Sequence, residues 1–335
     1  MYIPVVDHNQ KPLMPTTPAR ARRWMRERKA TGFWKQGVFC VRLNEEPSGR
    51  TLQPIAVGID PGSKREGFTV KSELHTYLNV QATAVTWVKD AVEARRNSRR
   101  RRRFRKTPCR ANRKNRVRGG IQPSTLARWQ WKLRLVRWLC KMFPVTASVV
   151  EDIQARTKKG RRKWNRSFSP LEVGKEYFYH HLREIGPVHL KVGYDTKELR
   201  DALGLHKSKN KLAESFDAHC VDSWVLANWY VEGHEAPDNR QLLVVTPLQF
   251  HRRQIHVFQP AKGGARKSYG GTRSLGFKRG SIVKHVTRGV CYVGGTSEGR
   301  ISLHSLKTGN RLCQNAKPQE AKFMSYNSWR TRYAN

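Results

Sequence analysis

Pro54-Ile55-Ala56-Val57-Gly58-Ile59-Asp60-Pro61-Gly62 is a short apolar run closed by an acid and a turn. A run of this length, rich in β-branched residues and stopped by Pro-Gly, reads as a buried strand with Asp60 at its end. Outward from it, Phe68-Thr69-Val70 and residues 76–83 are two further strand-like runs, so the segment opens a tight β-meander. Residues 145–150 form a second short β-branched run, and it too ends in acids, Glu151-Asp152. Between the runs, Pro123-Ser124-Thr125 starts a helix expected to reach about Met142, on which Trp131 and Trp138, seven apart, share a face that suits packing, while Trp129 could pack or stack on a base. Residues 171–184 read as helix, 189–194 as strand and 215–231 as helix carrying His219 and Asp222. Strands alternating with helices predict an α/β core.

Around this core the chain is strongly basic. Its 335 residues hold 66 Lys+Arg against 25 Asp+Glu, a formal net charge of +41 at pH 7. Charge on that scale repels itself unless polyanions neutralise it, and it suits nucleic acid better than a small acidic substrate. There is no apolar run of about 18 residues and no signal peptide, so no membrane association and a cytoplasmic protein are expected. The six cysteines are scattered without a C-x-x-C pair and read as reduced thiols. At the N-terminus, residues 2–6 read as a strand, and Thr17-Pro18 caps a basic helix expected to run to about Ala30. Beyond about Pro237, glycine-punctuated short strands suggest a separate β domain.

Asp60, Glu151 and Asp222 stand at strand ends or on a helix expected to cover the sheet. One acid at a strand end is most often a turn or cap residue. Three together match a chemical need, because two divalent cations about 4 Å apart require carboxylates to hold them against a phosphate. His219 precedes Asp222 by three residues, so on one helix the two share a face, and a neutral imidazole there could take a proton from an attacking water.

Gly58-Ile59-Asp60-Pro61-Gly62-Ser63, Val149-Val150-Glu151-Asp152 and His219-Cys220-Val221-Asp222 resemble, in order, the three motifs of RuvC nucleases. Lys11-Pro12-Leu13-Met14-Pro15 resembles the PLMP signature of IscB and its relatives, and the arginine run after the first motif resembles their bridge helix. IscB carries an HNH nuclease between its second and third motifs. Here His180 and His181 lie in a helical pattern without a metal-binding hairpin and read as a surface pair. A chain with PLMP, bridge and RuvC but no HNH resembles the IsrB family.

That resemblance implies an RNase H-like (RuvC) α/β core split by an arginine-rich bridge helix, between a small N-terminal PLMP domain and a C-terminal β-rich domain. The implied divisions are 1–52 for PLMP, 53–90 for the first RuvC part, 91–120 for the bridge, 121–236 for RuvC parts two and three, and 237–335 for the C-terminal domain. It implies catalysis by Asp60, Glu151, His219 and Asp222, with two Mg²⁺ held by the three acids and Mn²⁺ able to substitute. The implied partners are a guide (omega-type) RNA and double-stranded DNA with a short flanking motif, the protein being monomeric within a ribonucleoprotein that nicks the non-target strand. The same acids without RNA would suit a junction endonuclease, and a degenerate core would leave an RNA-binding module.

From Arg95 to Arg118 there are twelve arginines and two lysines and no acid. Charge on every face of a helix calls for an external partner, so Arg95, Arg96, Arg99, Arg100, Arg101, Arg102, Arg103 and Arg105 are expected to contact guide RNA. The loop containing Lys158, Lys159, Arg161 and Arg162 is expected to follow a phosphate backbone. Arg252, Arg253, Arg266, Lys278 and Arg279, set among glycines and aromatics, are expected to meet the flanking duplex.

Overall fold

The computed structural model describes residues 2–104, 120–155, 169–234, 236–249 and 273–334. The chain divides into two compact units, one of Met1–Phe33, Cys40–Val244 and Ala334–Asn335, the other of Trp34–Phe39 and Val245–Tyr333.

The first unit begins with β1 (Ile3–Val6), β2 (Pro12–Thr16), α1 (Pro18–Arg26) and the larger parts of β3 (Ala30–Lys35) and β4 (Val38–Leu43). β1 pairs antiparallel with β2, which contains Leu13-Met14-Pro15, and parallel with β4. The Thr17 hydroxyl accepts from Arg20 N at 3.4 Å, as a cap should. α1 stops at Arg26 rather than Ala30, because Arg28 turns left-handed (φ 58°) and Ala30 already opens β3.

The core follows: β5 (Ala56–Asp60), β6 (Arg65–Lys71), β7 (Thr76–Thr83), α2 (Trp87–Phe104), α3 (Pro123–Leu139), β8 (Ala147–Asp152), α4 (Pro170–Arg183), β9 (Val188–Val192), α5 (Gly193–Ala202), α6 (Phe216–His219), α7 (Val221–Val231) and β10 (Leu242–Pro247). β5, β6 and β7 form the expected antiparallel meander. β8 then lies parallel to β5, and β9 parallel to β8, giving the order β7-β6-β5-β8-β9. A three-strand meander extended by parallel strands beside its first member is the topology expected of an RNase H-like sheet.

Helices cover both faces. α7 lies on β5, β6 and β8. Gly67 faces it, so its strand neighbour Glu66 points to the opposite face, where Lys132 of α3 meets it in a buried ion pair of 2.8 Å. Trp129, Trp131 and Trp138 are all buried. Trp129 packs on Phe178 of α4 at 5.2 Å between ring centroids, and Gly174 leaves room for it. The aromatics of α3 are therefore core and not stacking platforms.

Four local expectations change. α2 begins at Trp87, four residues before the bridge boundary expected at 91. α3 ends at Leu139, and Met142 lies in the turn beyond. The strand ending at Tyr194 stops at Val192; the Asp195 carboxylate accepts from Val192 N at 3.3 Å and starts α5 at Gly193. The single helix over 215–231 is broken at Cys220 (φ −116°, ψ −6°), where the Ser223 hydroxyl donates to the Cys220 carbonyl at 3.0 Å.

The second unit is β-rich: β11 (Arg273–Ser274), β12 (Phe277–Lys278), β13 (Ser281–His285), β14 (Gly289–Ser297), β15 (Arg300–His304), β16 (Arg311–Ala316), β17 (Ala321–Tyr326) and β18 (Trp329–Tyr333). Five of these make an antiparallel sheet in the order β16-β15-β14-β13-β17. Val283, Cys291, Val293, Ile301 and Leu303 form its core.

Two glycines set how closely α7 approaches the sheet. A Cβ on Gly58 would lie 1.7 Å from the Ser223 carbonyl oxygen, and one on Gly67 would lie 1.9 Å from the His219 carbonyl oxygen. Both neighbours are backbone, which cannot swing aside as a side chain can. Gly58→Ala is therefore expected to destabilise the protein by about 3 kcal/mol or more, read as a fall in Tm, whereas Gly49→Ala, at a position with open space around it, should leave Tm unchanged.

Candidate metal centre

β5 and β8 run parallel with Ile59 opposite Val150, so the next residue on each strand, Asp60 and Glu151, emerges at the same sheet edge. Asp222 sits in the first turn of α7. Because Gly58 and Gly67 let that helix descend onto β5 and β6, its carboxylate reaches the same edge. One oxygen each from Asp60, Glu151 and Asp222 lies within 4.8 Å of the others. Three oxygen donors at this spacing suit a hard divalent cation such as Mg²⁺ or Mn²⁺.

Two cations from the chain already serve the cluster. Arg200 of α5 donates to Asp222 Oδ1 at 2.7 Å. Lys207 Nζ donates to Asp222 Oδ2 and lies 3.4 Å from Asp60 Oδ2, in the manner of a stand-in cation. Burial opposes the Lys207 ammonium, but the charges of Asp60 and Asp222 outweigh it and raise its pKa above that of an ordinary lysine. Glu151 feels the same ammonium more weakly, as the smallest of the influences on it. Burial first, then the adjacent charge of Asp60, push its carboxyl up to about 8. Lys207 and Arg200 thus balance two of the three carboxylates, while the third retains its proton near neutrality.

His219 closes α6, next to the break at Cys220. It is near enough to Asp60 to feel its charge and is not one of the three clustered ligands. Burial first, then the charge of Arg65, lower its pKa, against smaller opposing effects of a backbone hydrogen bond at Ala213 and of Asp60, so the ring is neutral at pH 7. Arg65 Nη1 approaches His219 Nε2 at 3.4 Å and also reaches the carbonyls of Lys211, Leu212 and Ala213 at 3.3, 2.7 and 3.1 Å. One guanidinium therefore holds both the histidine and the loop that carries Lys207.

Asp152, next along β8, is turned to other partners. Tyr179 donates to it at 2.8 Å, and Lys175 pairs with it at 2.9 Å and with Glu172 at 2.7 Å. His180 is exposed beside Glu184, and His181 rests on the Tyr177 ring at 4.2 Å, the surface arrangement expected of that pair.

Of the expected nucleic-acid contacts, Arg95, Arg96, Arg99, Arg100 and Arg101 are all exposed on α2, as is every residue from Glu93 to Arg101. The side chains of Arg102 and Arg103, and the residues Arg105, Lys158, Lys159, Arg161, Arg162, Arg252, Arg253 and Arg266, lie outside the described residues. Lys278 stands over the Tyr326 ring at 5.3 Å. Arg279 is half-buried, and its Nε has no hydrogen-bond partner. Sequence reasoning passed over Arg65, Arg200 and Lys207. Only Arg65, which opens β6 just after the turn at Asp60, carried a local signal.

The family model described as RRXRR protein matches residues 3–164, a stretch that holds Asp60, Glu151 and the arginine run. No curated protein matches the chain. Among solved structures, T. thermophilus RuvC in complex with a Holliday junction substrate is similar at 14% identity over 52% of this chain and 91% of that one, with a TM-score of 0.31. The yeast mitochondrial Holliday junction resolvase Ydc2 is similar at 14% identity over 54% and 80%, with a TM-score of 0.27. At such TM-scores neither likeness bears on function, and the fold is read from the strand order above.

A carboxyl must lose its proton to ligate a metal, and Glu151 holds its own up to about pH 8. Mn²⁺ affinity measured by calorimetry is therefore expected to rise with pH toward 8, by a factor approaching ten per unit, and to level off above it. Affinity that is flat from pH 6 to 8.5 would show that Glu151 does not take part.

Proposed function

We propose that the protein is a divalent-metal-dependent DNA endonuclease of the RuvC type, guided by a bound RNA to nick one strand, as the IsrB resemblance implies. The observation that carries this reading is the convergence of Asp60, Glu151 and Asp222 at one sheet edge. Supporting it are the order of the three motifs, the RRXRR match over residues 3–164 and the exposed arginines of α2.

Asp60, Glu151 and Asp222 would hold the metal. When bound, divalent ions supply Lewis-acid stabilisation of the charge that develops on the phosphate and leaving oxygen. His219, kept neutral by burial and by Arg65, serves as the acceptor for the proton of the attacking water. Arg65, which can only donate, holds the ring at Nε2, and that contact has to be given up for the ring to take the proton. The arginines on α2 grip the guide through its phosphates, and pairing between guide and target chooses the sequence. A single nuclease site cuts one strand for each binding event.

The test isolates the protein with its copurifying RNA, sequences that RNA and supplies a supercoiled plasmid bearing the matching target and Mg²⁺. Relaxed circles are expected; linear product would contradict nicking, and cleavage of branched DNA without RNA would replace guidance with junction recognition. Asp60→Ala, Glu151→Ala and Asp222→Ala should each reduce nicking by about a thousandfold or more with plasmid binding retained, and His219→Ala by about a hundredfold. Replacing the five arginines at 99–103 with alanine should abolish guided nicking through loss of RNA, and RNA affinity that survives the change would remove α2 from the interface.

A further inference from the structure

The mechanism leaves Lys207 unused, although its ammonium bridges two of the three acids, Asp60 and Asp222. Asp222 has both oxygens engaged: Oδ1 by Arg200 at 2.7 Å and Oδ2 by Lys207. Asp60 Oδ2 shares the same ammonium at 3.4 Å. The ammonium lies between these two carboxylates, so a cation taking an oxygen from each would meet a like charge there and competes with it for the place. The Arg200 side chain is 16% exposed and Lys207 is 34% exposed, so the lysine is the group with somewhere to go.

The backbone around Lys207 is pinned on both sides. Leu205 N donates to the Arg200 carbonyl at 3.1 Å, and Ser208 N donates to the Asp217 carbonyl at 2.9 Å. Leu205 also packs against the core cluster of Phe216, Cys220 and Val221. Farther along, Arg65 holds the carbonyls of Lys211, Leu212 and Ala213. The loop is thus a fixed mount, and only the flexible lysine stem has to move.

We propose that Lys207 is the resident cation of the carboxylate cluster, holding Asp60 and Asp222 together in the metal-free protein and withdrawing when a divalent ion enters, so that it sets the metal concentration at which the site fills. This rests on reading the three acids as a metal centre. Like charges this close repel, and a tethered ammonium relieves the repulsion with no ion from solution. The same ammonium then competes directly with metal for the Asp222 oxygen. Lys207 is in this sense a positioning residue, since it acts through the carboxylates.

The experiment measures Mn²⁺ binding to the full chain by calorimetry and by paramagnetic resonance, in the wild type, Lys207→Gln and Lys207→Arg, with Tm recorded in chelator and in saturating Mn²⁺. Lys207→Gln is expected to bind Mn²⁺ at least tenfold more tightly, to melt lower than the wild type in chelator and to regain the difference when Mn²⁺ is added. Lys207→Arg, which keeps the charge, should behave as the wild type does. Equal Mn²⁺ affinity in wild type and Lys207→Gln would overturn the role of Lys207 while leaving the metal centre standing. Absence of Mn²⁺ binding in all three proteins would overturn the metal centre and the proposal with it. A Lys207→Gln protein whose lowered Tm is not restored by Mn²⁺ would make Lys207 a structural residue and defeat the proposal.

Discussion

The close approach of α7 to the sheet is the constraint on which the rest depends. Without side chains at Gly58 and Gly67, the Ser223 and His219 carbonyls come against the strands, where a Cβ would stand 1.7 and 1.9 Å away. That contact brings the first turn of α7 down to the ends of β5 and β8. Asp222 then joins two acids that the parallel register has already placed side by side. The buried Trp224, whose indole donates to Thr76 Oγ1 at 2.8 Å, anchors the same helix to β7. Packing thus fixes the cluster before any ligand does.

Electrostatics opposes what packing imposes. Three carboxylates with oxygens within 4.8 Å of one another are stable only if positive charge or protons stand among them. The chain supplies both: Lys207 and Arg200 as cations, and the proton that Glu151 keeps up to about pH 8. A cluster that is neutralised yet retains exchangeable partners is suited to receive a metal. On the opposite face of the sheet the Glu66–Lys132 pair has a different character, since both side chains are almost wholly buried and their partnership ties α3 to β6.

Much of this was legible in the sequence. β5 and β8 are short apolar runs with β-branched residues, and Asp60 and Glu151 come at their ends, so these strand positions and acids could be read locally. What could not be read depends on where the chain returns. Gly193-Tyr194 continue an apolar pattern that looks like strand, and α5 with its Arg200 was missed because the residue before it, Val192, has no capping side chain and the start is marked only by Asp195 reaching back to Val192 N. Lys207 lies in an ordinary polar loop. Its meaning comes from long-range contacts with Asp60 and Asp222 that no spacing rule encodes. The break at Cys220 has the same origin, because the fit of Gly67 beneath His219 is a property of the sheet and not of the helix sequence.

The central claim is that Asp60, Glu151 and Asp222 form one divalent-metal centre. The most direct measurement is anomalous diffraction from crystals of the protein equilibrated with Mn²⁺. The account requires a manganese peak bound by an oxygen from each of the three acids, with the Lys207 ammonium withdrawn from Asp222. A cluster free of manganese at saturating concentration, with Lys207 still seated between Asp60 and Asp222, would contradict it.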